Sequence, residues 1–175
     1  MPDLITSIDY LADLELYKTE KPYAVVVSPE NHDESIETNN LVFESREGLT
    51  ITDIRGHEND ISLETSGFTV TPNKSQLSNV ESWDEIRAYQ KETEQFLKDW
   101  FQADSVFCFD LKLRKNEPVT RLVKDLRDWT IPDAPAYGAH NDVTFDSGPM
   151  IIDNNLPTDL KEKYLQPGYR FRIVK

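Results

Sequence analysis

The chain is poor in cysteine and contains no long apolar run, and both absences exclude whole classes of protein. Cys108 is the only cysteine among 175 residues, so the sequence has no internal disulfide and no Cys-x-x-Cys metal or redox site. No apolar stretch approaches the roughly 20 residues that a membrane-spanning helix needs. The first residues lack the basic stretch that opens a secretory signal. We therefore expect a cytoplasmic protein that does not associate with membranes.

Basic residues are also scarce relative to acidic ones. The chain carries 19 Lys and Arg against 32 Asp and Glu, which gives a formal net charge of −13. A surface this acidic repels phosphate backbones, so nucleic acid is not an expected partner. An aromatic content of 10% argues against a disordered chain. At this length we expect a single folded domain over residues 1–175.

The hydrophobic patterns predict a β-rich α+β fold. One long helix is predicted from Trp83 to about Gln102, because its apolar residues recur at helical spacing and Ser82 with Glu85 matches a capping box. Pro157 to Leu165 is predicted as a short helix. Alternating or continuous apolar runs predict strands at residues 24–27, 49–54, 61–63, 68–70, 105–111, 136–144 and 169–175. The expected architecture is a sheet beside one long helix, with the last strand at an exposed edge.

The three histidines, His32, His57 and His140, are the first candidates for chemistry. His140 forms a His-x-Asp pair with Asp142 on a predicted strand, where side chains two positions apart share one face. An imidazole and a carboxylate placed in this way are two of the three ligands of a 2-His-1-carboxylate iron site. The simpler alternative is a histidine hydrogen-bonded to a nearby carboxylate. No histidine follows Asp142, so only His32 or His57 could supply the third ligand.

A turn and a thiol offer weaker candidates. Asp53, Arg55, His57 and Glu58 cluster at a predicted turn and form either an acid–base site or a surface ion pair. Cys108 lies in an apolar run, which favours a packing role over a nucleophilic one. Aromatic and basic side chains around His140 are candidates for binding substrate, with the core or a solvent face as their alternative: Tyr137, Trp129, Phe145, Tyr169 and Arg170.

Several blocks spread along the chain resemble the CmcJ/AsaB-like family, fungal and bacterial oxygenases and desaturases of secondary metabolism. They include Asp53-Ile54-Arg55-Gly56, Gly67-Phe68, Ala139-His140-Asn141-Asp142 and Pro167-Gly168-Tyr169-Arg170. The resemblance spans nearly all of this chain but only somewhat over half of a family member. It implies the N-terminal part of an Fe(II)/2-oxoglutarate dioxygenase-like domain, with a partial double-stranded β-helix of jelly-roll type. It also implies His140 and Asp142 as iron ligands, with Fe(II) and 2-oxoglutarate as cofactors.

Three functions are consistent with these patterns. The first is an oxygenase-related but non-redox enzyme, a cyclase, isomerase, dehydratase or epimerase that moves protons on a small natural-product intermediate. His140 would be its general acid or base, Asp142 would orient His140, and Tyr137 or an arginine would stabilise a developing enolate. The second is a true Fe(II)/2-oxoglutarate oxygenase or desaturase, seen as its N-terminal portion. The third is a non-catalytic binding or dimerisation module, in which a homodimer covers the exposed sheet edge.

Overall fold

The computed structural model describes residues 3–25, 35, 37–77, 79–116, 128–136 and 138–175. The chain divides into two compact units, Met1–Ser78 with Leu113–His140 and Asn79–Lys112 with Asn141–Lys175. Its regular elements, in chain order, are β1 (Leu4–Leu11), β2 (Phe43–Ile51), α1 (Leu63–Ser66), α2 (Trp83–Phe101), α3 (Ser147–Asn155) and α4 (Thr158–Tyr164). The α+β prediction is confirmed. The expectation of a single domain stays a prediction.

The first unit contains a two-stranded antiparallel sheet. Leu4 of β1 lies opposite Ile51 of β2, Leu11 lies opposite Phe43, and the register shifts between Thr6 and Ile8. Side chains along β1 alternate between exposed and half-buried positions, as expected for a strand with one covered face. The predicted strand at 49–54 is confirmed only in part, because β2 begins earlier and ends at Ile51.

A hydrogen-bond cluster around Asn40 closes the connection between β1 and β2. The side-chain oxygen of Asn40 accepts from the Tyr23 amide at 2.8 Å, and its side-chain nitrogen donates to the Glu20 carboxylate at 2.9 Å. The hydroxyl of Tyr17 donates to the Asn40 carbonyl at 2.8 Å and accepts from the Val42 amide at 3.0 Å. These bonds satisfy polar groups in the described part of the connection.

The long helix α2 confirms the prediction in the second unit. The Ser82 hydroxyl accepts from the Glu85 amide at 3.3 Å, and the Glu85 carboxylate accepts from the Ser82 amide at 2.9 Å, which completes the capping box. The helix ends at Phe101, and Gln102 takes a left-handed conformation with φ of 49°. The side chain of Ile86 is fully buried beneath the first turn of α2.

The strands predicted at residues 61–63 and 68–70 are wrong. Between them lies the short helix α1 (Leu63–Ser66), whose first turn is capped because the Ser62 hydroxyl accepts from the Thr65 amide at 3.2 Å. Gly67 ends this helix with φ of +75°, the left-handed conformation that glycine adopts without strain. The cap and the glycine are signals for a helix, and they outweigh the short apolar runs on either side.

The strands predicted at 105–111, 136–144 and 169–175 are also not found among the described residues. Within the first of them, the Cys108 amide donates instead to the Glu94 carboxylate on α2, at 2.7 Å. Of the strand at 24–27, the described part holds only an isolated bridge between Ala24 and Asn39, and residues 26–27 lie outside the described residues. An alternating pattern indicates which side chains are buried but does not supply a neighbouring strand.

Two further helices lie in the second unit. α3 (Ser147–Asn155) was not predicted, whereas α4 (Thr158–Tyr164) confirms the short helix expected after Pro157.

Within the described residues the sheet has two strands, so a double-stranded β-helix is not present there. The segment 169–175 forms no strand, and the Arg172 guanidinium lies 5.6 Å from the centre of the Phe101 ring. The homodimer stays a prediction. None of the helices in the described part is both long and apolar enough to cross a bilayer.

Candidate functional site

His140 lies on a loop that is attached to the sheet of the first unit. The Ala139 amide donates to the Asp9 carbonyl of β1 at 2.7 Å. This bond fixes the backbone immediately before His140, although residues 138–140 form no strand. The imidazole itself is exposed. The loop therefore presents His140 to solvent from a backbone that the sheet holds in place.

The same loop packs closely against β2 through Gly138. Gly138 has φ of +77°, and a Cβ atom placed on it would lie 2.4 Å from Cε1 of the Phe43 ring. Glycine is needed here for two reasons, because the backbone is left-handed and because the ring occupies the space of a side chain. Sequence reasoning did not identify Gly138 or Phe43. The available signal was a glycine two positions before His140 inside a predicted strand.

The backbone of Gly138 also determines the protonation pattern of His140. The Nδ1 atom of His140 lies 2.9 Å from the carbonyl oxygen of Gly138. A carbonyl oxygen only accepts hydrogen bonds, so this contact requires a proton on Nδ1. In the neutral ring, Nε2 then carries the lone pair that accepts a proton or binds a metal ion.

Asp142 belongs to the second unit, whereas His140 belongs to the first. The Lys175 amine donates to the Asp142 carboxylate, and the side chains are 80% and 47% exposed respectively. Because residues 138–144 form no strand, the argument that places His140 and Asp142 on one strand face does not hold. The group that accepts from Nδ1 is the Gly138 carbonyl, and the role of Asp142 as an orienting group stays a prediction.

The predicted substrate-binding residues fall in both units. Trp129 is half-buried in the first unit, next to a turn in which the Asp128 carboxylate accepts from the Thr130 amide at 3.0 Å. Tyr137, the proposed enolate-stabilising group, lies outside the described residues.

The other three are in the second unit. The Phe145 ring is fully exposed, and Arg170 is exposed as well. The Tyr169 ring packs edge-on against the buried Tyr164, with ring centres 5.0 Å apart. Tyr169 therefore has a packing role in addition to its predicted role in substrate binding.

The turn after β2 contains an ion pair between Arg55 and Asp53. Arg55 donates from Nε and its terminal nitrogen to the two carboxylate oxygens of Asp53, at 2.7 and 2.6 Å. This paired guanidinium holds the pKa of Asp53 well below its usual range. His57 lies 3.3 Å from Asp60, but both side chains are more than 70% exposed. The geometry agrees with the surface ion-pair alternative, because the Asp53 carboxylate is already engaged by Arg55.

Cys108 has the properties of a packing residue. It is half-buried, and burial raises the pKa of its thiol. The thiol donates to the Asp110 carbonyl at 3.4 Å. A raised pKa lowers the thiolate fraction at neutral pH, and the thiolate is the nucleophilic form.

The described residues do not assemble the iron site that the resemblance implies. In the described part of the chain, no group of three His, Cys, Asp or Glu side chains could hold a metal ion. Of the two candidates for a third ligand, His57 pairs with Asp60, and His32 lies outside the described residues.

One comparison with known proteins gives a match over nearly the whole chain. The family described as an oxidoreductase/YMDC permease-like domain matches residues 8–175, a span that includes both units and the His140 loop. No curated protein and no solved structure matches the chain. The match agrees with the predicted resemblance at the level of an oxidoreductase-like family.

Proposed function

The chain belongs to the oxidoreductase/YMDC permease-like domain family, and we propose that it catalyses proton transfer on a small intermediate of secondary metabolism. The reaction classes that fit are cyclisation, isomerisation, dehydration and epimerisation. In this proposal the protein is oxygenase-related but non-redox, works in the cytoplasm and takes a small molecule rather than nucleic acid. Imidazole is the side chain most often used for proton transfer near neutral pH.

The observation that carries the proposal is the bond between His140 Nδ1 and the Gly138 carbonyl, at 2.9 Å. With the proton fixed on Nδ1, Nε2 can remove a proton from a carbon next to a substrate carbonyl, and the electron pair moves into an enolate. The imidazolium then has Nδ1–H directed at a carbonyl dipole, which stabilises its charge. Return of the Nε2 proton to a different position completes an isomerisation with no net gain or loss of atoms.

The other predicted groups would have supporting roles in this proposal. Asp142 would help to orient or stabilise the imidazolium, and Tyr137 would donate to the enolate oxygen. The aromatic and basic residues would bind the carbon skeleton and an anionic group of the substrate: Trp129, Phe145, Tyr169 and Arg170. The acidic chain as a whole disfavours strongly anionic substrates, so a substrate of low charge is the better fit.

The second candidate is an Fe(II)/2-oxoglutarate oxygenase or desaturase. Two observations favour it, the family match to an oxidoreductase-like domain and the Nε2 lone pair of His140, which suits a metal ligand. Fe(II), when bound, would supply the activation of dioxygen. His140 and Asp142 would be two ligands. The third ligand would come from outside the described residues or from a second copy of the chain.

The first test is hydrogen–deuterium exchange in a panel of small enolisable ketones and esters in D₂O. The protein should catalyse deuterium incorporation next to the carbonyl, measured by NMR. His140→Gln should lower the rate by roughly 100-fold or more, the usual contribution of a general base. His57→Gln is the matched control, since His57 is another exposed histidine of the same unit, and it should retain the rate.

The outcome distinguishes the candidates. Exchange that depends on His140 and needs no added metal supports proton transfer. Products that gain an oxygen atom or lose two hydrogens, formed only with Fe(II), 2-oxoglutarate and dioxygen, support the second candidate. Equal exchange rates in wild type and His140→Gln would contradict the assignment of His140 as the base.

A further inference from the structure

We propose that Phe43 is a positioning residue for His140, acting through Gly138. The proposal rests on the proposed function only for its effect on rate, because the protonation pattern of His140 is a property of the protein without substrate. The Phe43 ring blocks one side of Gly138 and so fixes the carbonyl that accepts from Nδ1. Phe43 would thus determine which ring nitrogen of His140 acts on the substrate.

Two contacts hold this loop on the sheet. On one strand, the Asp9 carbonyl of β1 accepts from the Ala139 amide at 2.7 Å. On the other, the Phe43 ring at the start of β2 lies so close to Gly138 that three of its atoms fall within about 3.1 Å of the Cβ position. The peptide that carries the Gly138 carbonyl is therefore set by both strands, and the register places Leu11 opposite Phe43 at this end of the sheet.

Phe43 is 44% exposed, so its contact with Gly138 is made at the surface rather than in a buried core. The close approach to Gly138 is the contact that the proposal assigns to this exposed ring.

The consequence is a defined tautomer. Free histidine in its neutral form prefers the proton on Nε2, whereas the bond to Gly138 requires it on Nδ1. If the Phe43 ring is removed, the loop can move away from β2 and the carbonyl can turn. His140 should then return toward the Nε2–H form, and Nε2 would no longer be able to accept a proton.

The test is long-range ¹H–¹⁵N correlation NMR of His140 at about pH 8.5, where an ordinary imidazole is neutral. The ¹⁵N shifts of the two ring nitrogens differ strongly between the protonated and unprotonated atoms. Wild type should show Nδ1–H as the major form. Phe43→Ala and Gly138→Ala should lose it as the major form, the second because its methyl group would collide with the ring. Phe68→Ala, which changes an exposed phenylalanine of the same unit, should keep it.

Each outcome decides the proposal. A wild-type protein with mainly Nε2–H would overturn the assignment of the tautomer, and unchanged ¹⁵N shifts in a folded Phe43→Ala protein would overturn the role of Phe43. If Phe43→Ala does not fold, Phe43→Leu retains apolar contact and should give a smaller shift in the same direction, and unchanged shifts would again overturn it. A correct tautomer without any His140-dependent exchange would instead reject the proposed function and leave this inference intact.

Discussion

Replacement of Asn40 by alanine should destabilise the first unit more than replacement of the neighbouring Asn39. The Asn40 side chain makes three hydrogen bonds, to the Tyr23 amide at 2.8 Å, the Glu20 carboxylate at 2.9 Å and the Lys21 carbonyl at 3.3 Å. A net intramolecular hydrogen bond contributes about 1 kcal/mol, and exposed ones contribute less. One part-buried bond and two exposed ones therefore sum to about 2 kcal/mol.

Thermal unfolding followed by circular dichroism measures this loss. For a chain of this length, about 2 kcal/mol corresponds to a decrease of Tm by about 4–8 °C. Asn39→Ala is the matched control, because the Asn39 side chain accepts one exposed hydrogen bond, from the Leu41 amide at 3.2 Å. It should lower Tm by no more than about 2 °C. Equal effects of the two substitutions would refute the idea that Asn40 organises the connection between the strands.

Three further predictions concern pH, reactivity and helix capping. Since pairing with Arg55 lowers the pKa of Asp53, the pair stabilises the folded state above the ordinary carboxyl value of 3.8 and the gain is lost as pH falls below it. Arg55→Met should thus show a smaller drop in urea midpoint between about pH 5 and pH 3 than wild type; an equal drop would contradict the pairing. Cys108, whose pKa is raised by burial, should react with a thiol reagent more slowly than free cysteine at neutral pH, and faster labelling would contradict its assignment as a packing residue. Ser82→Ala removes the capping box and should cost about 1 kcal/mol in urea unfolding, whereas an unchanged midpoint would show that the cap is dispensable.

Local signals explain which helices could be predicted. The capping box at Ser82 and Glu85 and the apolar stripe that follows lie within a few residues of one another, and α2 has the expected bounds. Pro157 marks the start of α4 in the same way. α3 was missed because its first turn contains Gly148 and Pro149, a dipeptide that is typical of turns and loops, although Asp146 stands at its N-cap position.

The strands depended on partners that a local pattern does not show. β1 was missed although it pairs with β2, because Leu4 meets Ile51 only when the chain folds back. Conversely, residues 105–111 have an apolar run typical of a strand, yet the Cys108 amide finds its acceptor in the Glu94 side chain rather than in a neighbouring strand. The two-residue period of side chains along a strand specifies which face is buried, but it does not specify which strand pairs with its edge.

The candidate site shows the same difference between short-range sequence patterns and long-range contacts. His140 was identified from its type and its spacing to Asp142, because such pairs are short-range patterns in sequence. The clamp formed by Gly138 and Phe43 was not identified, since the two residues are far apart in the chain and meet only through the start of β2. The family match agrees with the predicted resemblance at the level of an oxidoreductase-like family, whereas the substrate and the reaction are proposals.

Titration of the metal-free protein with Fe(II) in the absence of dioxygen tests the central claim, that His140 serves as an acid–base group rather than as an iron ligand. Calorimetry would compare wild type, His140→Ala and the control His57→Ala. The account predicts no stoichiometric Fe(II) binding that depends on His140, since the described residues bring no three-ligand set together. One Fe(II) bound per chain in wild type and in His57→Ala, and lost in His140→Ala, would contradict the account and establish the oxygenase candidate.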